Sequence, residues 1–507
     1  MDSPISLPSP RPSAAREWLL ITAMVTVAWL PLIGLGLVLL ILGVTFGIWQ
    51  VAVAPVMWVL IGVSRTVLGR DSVPGRAVRP GDEPELASLV NDVAERLRFT
   101  APLLVRIVPW PDAALGRAKV AGVRSHVLLL GLPLLRNLSA AQLAAVIGHE
   151  LAHEQHIHDR RTSWLHDARA LLAERLEGRF RPLAPLATPL LRASQPRVWQ
   201  AERSADADAA RIAGTETTRQ VLELVALLVA TFDGLGEQWL TDLAVNHTYP
   251  QDFYDAFDAA LQDPLVRRRS AGAAAEYDVL DPYHTANHPP VAQRIAALPQ
   301  ADGCTSHGSD PIRLRGAALI AQWCVQQLAG VDSLPEPRGT QARTSEDDRR
   351  ARRRGKDRYD DPRPVHILGL DAEQLHAPSE DGGPEALLAA TRTQAPLRAV
   401  SAALDAVADG SWPRLARRIE PQLRRLPPVE RPTATRDVLA GATGAALVPV
   451  LREAGWTYAS RWMRTVLTTP GGTNVDLYDL LVTAVDMGDP APVRFLLEAA
   501  GTEEVPA

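Results

Sequence analysis

The chain has 507 residues, enough for two or three domains. Its formal net charge of −5 gives no electrostatic reason to bind nucleic acid. Only Cys304 and Cys324 are present, which excludes a disulfide framework, fits a reducing compartment and leaves no cysteine metal cluster.

Residues 1–17 are polar and rich in Pro and Ser, and are expected to be disordered. From Trp18 to Ser64 no residue is charged. That run is too long for one span or a cleavable signal peptide and suits two spans of about 20 residues each. Gly43-Val44-Thr45-Phe46-Gly47 is the expected turn of this transmembrane helical hairpin, residues 18–64. Arg11 and Arg16 precede it; Arg65, Arg70, Arg76 and Arg79 follow it. Positive charge on both sides places both termini in the cytoplasm of a multi-pass protein of the cell membrane.

Asp82-Glu83-Pro84-Glu85 opens a helix with Leu86, Leu89, Val90, Val93 and Leu97 on one stripe. Residues 103–108, 117–123 and 126–130 read as strands, with His126 on a strand surface. Ser139 with Gln142 forms a capping box, and Leu138 with Leu143 can form a hydrophobic staple. A helix therefore starts at Ser139 and runs into His149-Glu150-Leu151-Ala152-His153. Histidines four apart share a helix face and can hold one zinc ion. The glutamate beside the first histidine can take a proton from a water at the metal and pass it to a leaving amine.

A catalytic zinc site needs a third protein ligand and one open position. Glu202, in Ala201-Glu202-Arg203-Ser204-Ala205-Asp206, is the candidate, and Asp206 lies one turn later on the same face. Asp206 can accept the second ring N–H of a zinc-bound histidine. His156, His158 and His166 sit among charged residues and read as a solvated helix continuation. Asp167 to Phe180 reads as a charged amphipathic helix, followed by a Pro-broken stretch, 182–197. Val221 to Phe232 is too short and too polar to span a membrane. Tyr283 and His284 are candidates for an oxyanion donor, with His247 a looser one. His288-Pro289-Pro290-Val291-Ala292-Gln293-Arg294-Ile295 puts a histidine ahead of a Pro-initiated helix.

Taken together, HELAH, ERSAD and HPPVAQRI resemble the zinc metallopeptidases that include HtpX and the CAAX prenyl proteases, over roughly residues 80–300. The resemblance implies His149, His153 and Glu202 as ligands of one zinc ion per chain, with Glu150 as catalytic base. It implies Asp206 behind the metal, and His288 and Arg294 around the substrate or the metal. It also implies an edge strand beside the cleft with which a peptide substrate pairs. The family's Asn-Ala-x-Ala stretch is replaced here by Asp112-Ala113-Ala114-Leu115.

Residues 334–364 read as a disordered charged linker with basic residues from Arg349 to Lys356, flanked by aspartates. Residues 365–507 read as a helical domain without a catalytic constellation. Its segment 489–497 resembles one ankyrin-like helix, with no repeat of fixed period.

The expected fold is α+β and mostly helical: the hairpin, a zinc-metallopeptidase domain over 80–330 with a small edge-strand sheet, and the C-terminal helical domain. The expected function is hydrolysis of peptide bonds by a membrane-anchored zinc endopeptidase in membrane protein quality control or regulated proteolysis. Its partners would be a polypeptide substrate, the lipid bilayer through the hairpin, and a protein partner of the C-terminal domain. The alternative is an inactive or dormant zinc-stabilised scaffold at the membrane.

Overall fold

The computed structural model describes residues 14–47, 73–120, 123–157, 160–177, 181–245, 248–277, 283–304, 307–330, 363–376, 384–426 and 430–501. The second expected span, His158, His247 and nearly all of the expected linker lie outside the described residues. The chain is mostly helical with small sheets. It forms two compact units: Met1–Ala226 with Glu276–Gly316, and Leu227–Ala275 with Ala317–Ala507.

The first unit opens with α1, Ala14–Thr45, which contains Pro31 and is followed by a turn at Phe46 and Gly47. Among the described residues it is the one helix long and apolar enough to cross a membrane. Ile21, Met24 and Ala28 are buried in a cluster with Leu165, Leu172, Ala187 and Leu191. Beyond that contact Leu30, Ile33, Leu37, Ile41 and Phe46 are exposed. At about 1.5 Å per residue the exposed half is roughly 25 Å long, close to a bilayer's hydrocarbon thickness.

The helix α2, Pro84–Arg96, buries Leu86, Leu89, Val90 and Val93 of the predicted stripe, whereas Leu97 falls just past the helix as its half-buried C-cap. Four strands follow the order β1-β2-β4-β3. They are β1 Arg76–Val78, β2 Leu103–Val108, β3 Ala113–Val120 and β4 Val123–Gly131. β2 runs parallel to β4, whereas β3 pairs antiparallel with β4, from Ala113 opposite Leu130 to Val120 opposite Val123. β3 is thus an edge strand. It starts four residues earlier than the sequence pattern suggests and includes Ala113 to Leu115, because its register is set by β4.

Three helices carry the polar motifs: α3 Ala140–His156, α4 Arg160–Glu177 and α5 Ala184–Ala213. α3 begins at the predicted capping box, with Ser139 Oγ accepting from Gln142 N and Gln142 Oε1 accepting from Ser139 N. It packs along α5, with Gly148 facing Ala209 and with Ala144, Ala205 and Ala209 all buried. A Cβ on Gly148 would come within 2.7 Å of Ile212 Cδ1, the end of a side chain, and 3.8 Å of Ala209 Cα, so it would displace Ile212 before it met the backbone of α5. α5 corrects the expectation of a Pro-broken stretch over 182–197, since the helix runs unbroken past Pro189 and Pro196. Both prolines are exposed, while Ala187, Leu191, Ser194 and Val198 between and beside them are buried. Packing of that inner face offsets the hydrogen bonds the prolines cannot make. α6, Thr215–Thr231, and the short α7, Val291–Ala296, complete the surroundings of the motifs.

The second unit has its own core, built from Leu387, Val400, Leu404, Leu439, Leu447, Leu451 and Leu481 among others. Helices over 384–391, 396–408, 412–419, 431–453, 477–487 and 491–499 surround it. A three-stranded antiparallel sheet, residues 457–458, 466–468 and 474–476, accompanies the expected mostly helical pattern. Its strands are two or three residues long, too short to show a period-two alternation in sequence.

Candidate active site

The spacing of the histidines on α3 does what helix geometry requires. The rings of His149 and His153 lie side by side with centroids 6.1 Å apart and planes 16° from parallel. α5 brings Glu202 and Asp206 against them from the opposite side. Both carboxylates are nearly sealed from solvent, at 1% and 3% side-chain exposure. Glu202 Oε1 is 2.7 Å from His153 Nε2, and its Oε2 is 3.4 Å from His149 Nε2. Asp206 Oδ1 is 3.0 Å from His149 Nδ1, so the two nitrogens of that ring face different carboxylates.

The segment before α7 and α7 itself add the last two groups, His288 and Arg294. His288 Nδ1 lies 2.7 Å from Glu202 Oε2. Arg294 donates from Nε and Nη2 to the two oxygens of Asp206, at 3.0 and 2.7 Å. This two-pronged bond holds Asp206 in the orientation that faces His149. One atom each from His149, Glu202 and His288 lie mutually within 4.8 Å. His153 Nε2 is buried and touches Glu202 without the alignment of a hydrogen bond. Imidazole nitrogens and a carboxylate oxygen converging in this way suit a transition metal such as zinc.

Charges follow from the same contacts. Burial disfavours a charged His149, but Asp206 and Glu202 outweigh it and hold its pKa up at about 10. Burial would raise Glu202, but His288, His149 and His153 drive it far below the carboxylate range. Asp206 is held at about 2 by His149 and Arg294 against its own burial. Glu150 is pushed upward by burial, which the neighbouring histidines only partly offset.

These groups open on a cavity of about 240 Å³. His149, Glu150, His288 and Arg294 form its polar side, and Val146, Val221, Leu222 and Val225 its apolar side. Asp112 and Ala113, where β3 begins, reach the same cavity. β3 is fastened to α3 by Arg117, whose Nε donates to Glu154 Oε1 at 2.6 Å. A more open depression of about 300 Å³ between Phe99, Thr100, His126 and Glu154 contains none of the converging histidines.

Residues 82–302 match the family model described as peptidase family M48. This domain belongs to peptidase family M48. That family implies metallopeptidase activity for the matched domain, hydrolysis of polypeptides with the help of a metal ion. No curated protein and no solved structure matches the chain.

The M48 domain brings together His149, Glu150, His153, Glu202, Asp206, His288 and Arg294. It leaves other candidates outside. His126 faces Glu154 at 3.4 Å, and His156 meets Asp208 at 2.6 Å. Tyr283 packs against the cluster beneath α1, and His284 Nδ1 lies 3.1 Å from Gln195 Oε1. His166 departs from the solvated reading: its ring stands edge-on to His153 with centroids 5.5 Å apart, and burial, then His153, pushes its pKa down to about 4. Arg169 on α4 is fully buried and gave no signal in the sequence, where it sits in an ordinary charged helix.

Proposed function

We propose that the chain is a membrane-anchored zinc endopeptidase whose peptidase domain, about residues 80–330, faces the cytoplasm. The observation that supports this best is that His149 and His153 both meet Glu202, at 3.4 and 2.7 Å, with Glu150 next to His149 on the cavity wall. Two imidazoles and one carboxylate are the donor set of an open zinc site. Zinc held there would polarise the scissile carbonyl and make a water acidic enough to attack it. Glu150 takes the proton of that water and delivers it to the leaving nitrogen. Asp206, clamped by Arg294, keeps His149 in place, and His288 faces the substrate oxygen on which charge develops. The open edge of β3 receives the substrate as an added strand.

The exposed half of α1 supports anchoring, and the charge-free run to Ser64 supports a second span. The two spans form the hairpin of a multi-pass cell-membrane protein with both termini cytoplasmic. Substrates are misfolded membrane proteins or exposed peptide segments, in quality control or regulated proteolysis. Residues 365–507 recruit a protein partner, joined by the linker 334–364.

The test uses the full chain in detergent micelles with an unfolded protein as substrate, wild type against Glu150→Gln, and zinc measured in both. Cleavage by wild type alone with zinc in both establishes the reading. Zinc in both with cleavage in neither overturns it in favour of the scaffold or of a dormant site. The contact of His288 with Glu202 favours a second reading, a dormant site in which His288 fills the open metal position. His288→Ala then raises activity, whereas the first reading has it fall.

A further inference from the structure

His288 is held in place by something other than its own packing. Its side chain is 58% exposed, yet its Nδ1 sits 2.7 Å from the buried Glu202. Its position is therefore dictated by the backbone of the strap before it, residues 283–287. That strap has no regular secondary structure, and His284 within it adopts φ +56°, a conformation few residues with a Cβ adopt and one that its surroundings here hold in place.

The group that holds it is Arg169. Its guanidinium is fully buried and every nitrogen is used. Nη1 donates to Leu191 O at 2.7 Å and Ser194 Oγ at 2.8 Å, both on α5. Nη2 donates to Ala286 O at 2.9 Å and to His284 O. Nε donates to Asn287 Oδ1 at 3.1 Å. One planar cation thus fastens three acceptors of the strap to the helix that carries Glu202. A lysine, with a single nitrogen on a flexible stem, cannot span both sets. The same α4 helix packs Leu165, Ala168 and Leu172 into the cluster that contains Ile21, Met24 and Ala28 of α1.

We infer that Arg169 is the positioning residue of the site: it acts through the 283–287 strap to set His288 over Glu202. This rests on the reading of His288 as a working group of the peptidase site.

The test is a double-mutant cycle on the full chain in micelles, with Arg169→Lys, His288→Ala and the pair, read as kcat/KM. It is joined to hydrogen exchange of backbone amides 284–288 in metal-free protein and to zinc content. Misplacing a reacting group by about an ångström costs up to roughly a hundredfold, so Arg169→Lys is expected to lose tenfold to a hundredfold. In the His288→Ala background it loses nothing more, since the group it positions is gone. Amides 284–288 exchange faster, and zinc content is unchanged because His149, His153 and Glu202 are intact. Losses that simply multiply, or unchanged exchange across the strap, overturn the inference. If Arg169→Lys does not fold, Asn287→Ala, which removes only the acceptor of Nε, is read by the same criteria. If wild type cleaves nothing, the exchange arm still decides whether Arg169 holds the strap, which separates failure of this inference from failure of the peptidase reading.

Discussion

Met24→Ala asks whether α1 is part of the first folded unit or merely leads into a membrane. Met24 is fully buried, and its neighbours in the cluster include Leu165, Leu172 and Leu191 on α4 and α5. Truncating a buried methionine to alanine removes the transfer energy of the side chain and leaves a cavity, about 2–5 kcal/mol in total. For a unit of this size each kcal/mol moves the unfolding midpoint by about 2–4 °C, so a fall on the order of 10 °C is expected. Leu35→Ala is the control, because Leu35 is 52% exposed on the same helix. The assay is thermal unfolding of the full chain in micelles, with zinc retention followed across the transition. Met24→Ala should lower the midpoint and Leu35→Ala should leave it within about 1 °C, the usual range for exposed substitutions. Equal, small shifts for both would refute the reasoning and leave α1 as a membrane segment that does not pack on α4. The same packing predicts that a fragment lacking α1 exposes Leu165, Leu172 and Leu191 and is a poor vehicle for activity measurements.

Asp206→Asn keeps the shape of the side chain but removes the charge facing His149 and Arg294; zinc affinity should fall about 10–100-fold by competition with a chelator, and an unchanged affinity would discount the contact. Gly148→Val places a branched side chain against Ile212 where even a Cβ meets it at 2.7 Å. It should cost about 1–3 kcal/mol in urea denaturation, because the added methyls overpack a seam where Ile212 must first give way. In the second unit His376 is buried with Nε2 unbonded, and burial, then Arg464, pushes its pKa down to about 4 against 6.5 when unfolded. The unfolded chain therefore takes up a proton that the folded chain refuses as pH falls below 6.5. Stability from this group is fully present above 6.5 and lost towards pH 4, on the order of 3 kcal/mol. Urea midpoints at pH 7.5 and 4.5 should converge in His376→Phe relative to wild type, and an equal pH response in both would remove His376 as the cause.

What was legible in the sequence was local. The Ser139–Gln142 box starts α3, four-residue spacing puts His149 beside His153, and the same spacing puts Glu202 beside Asp206. The α2 stripe and the apolar run at Trp18 follow the same logic. Each depends on residues a few positions apart, where the geometry of one helix is enough. Three linked motifs then sufficed for the family. Tertiary structure decided the rest. α5 continues through Pro189 and Pro196 because its inner face is buried against other helices, and β3 reaches back to Ala113 because β4 sets its register. Residues 227–275 group with 317–507, a pairing across sequence that no local pattern encodes. Most telling is Arg169, one basic residue in a charged helix by sequence. It is set apart only by five acceptors on Leu191, Ser194, His284, Ala286 and Asn287, which come together when the chain folds.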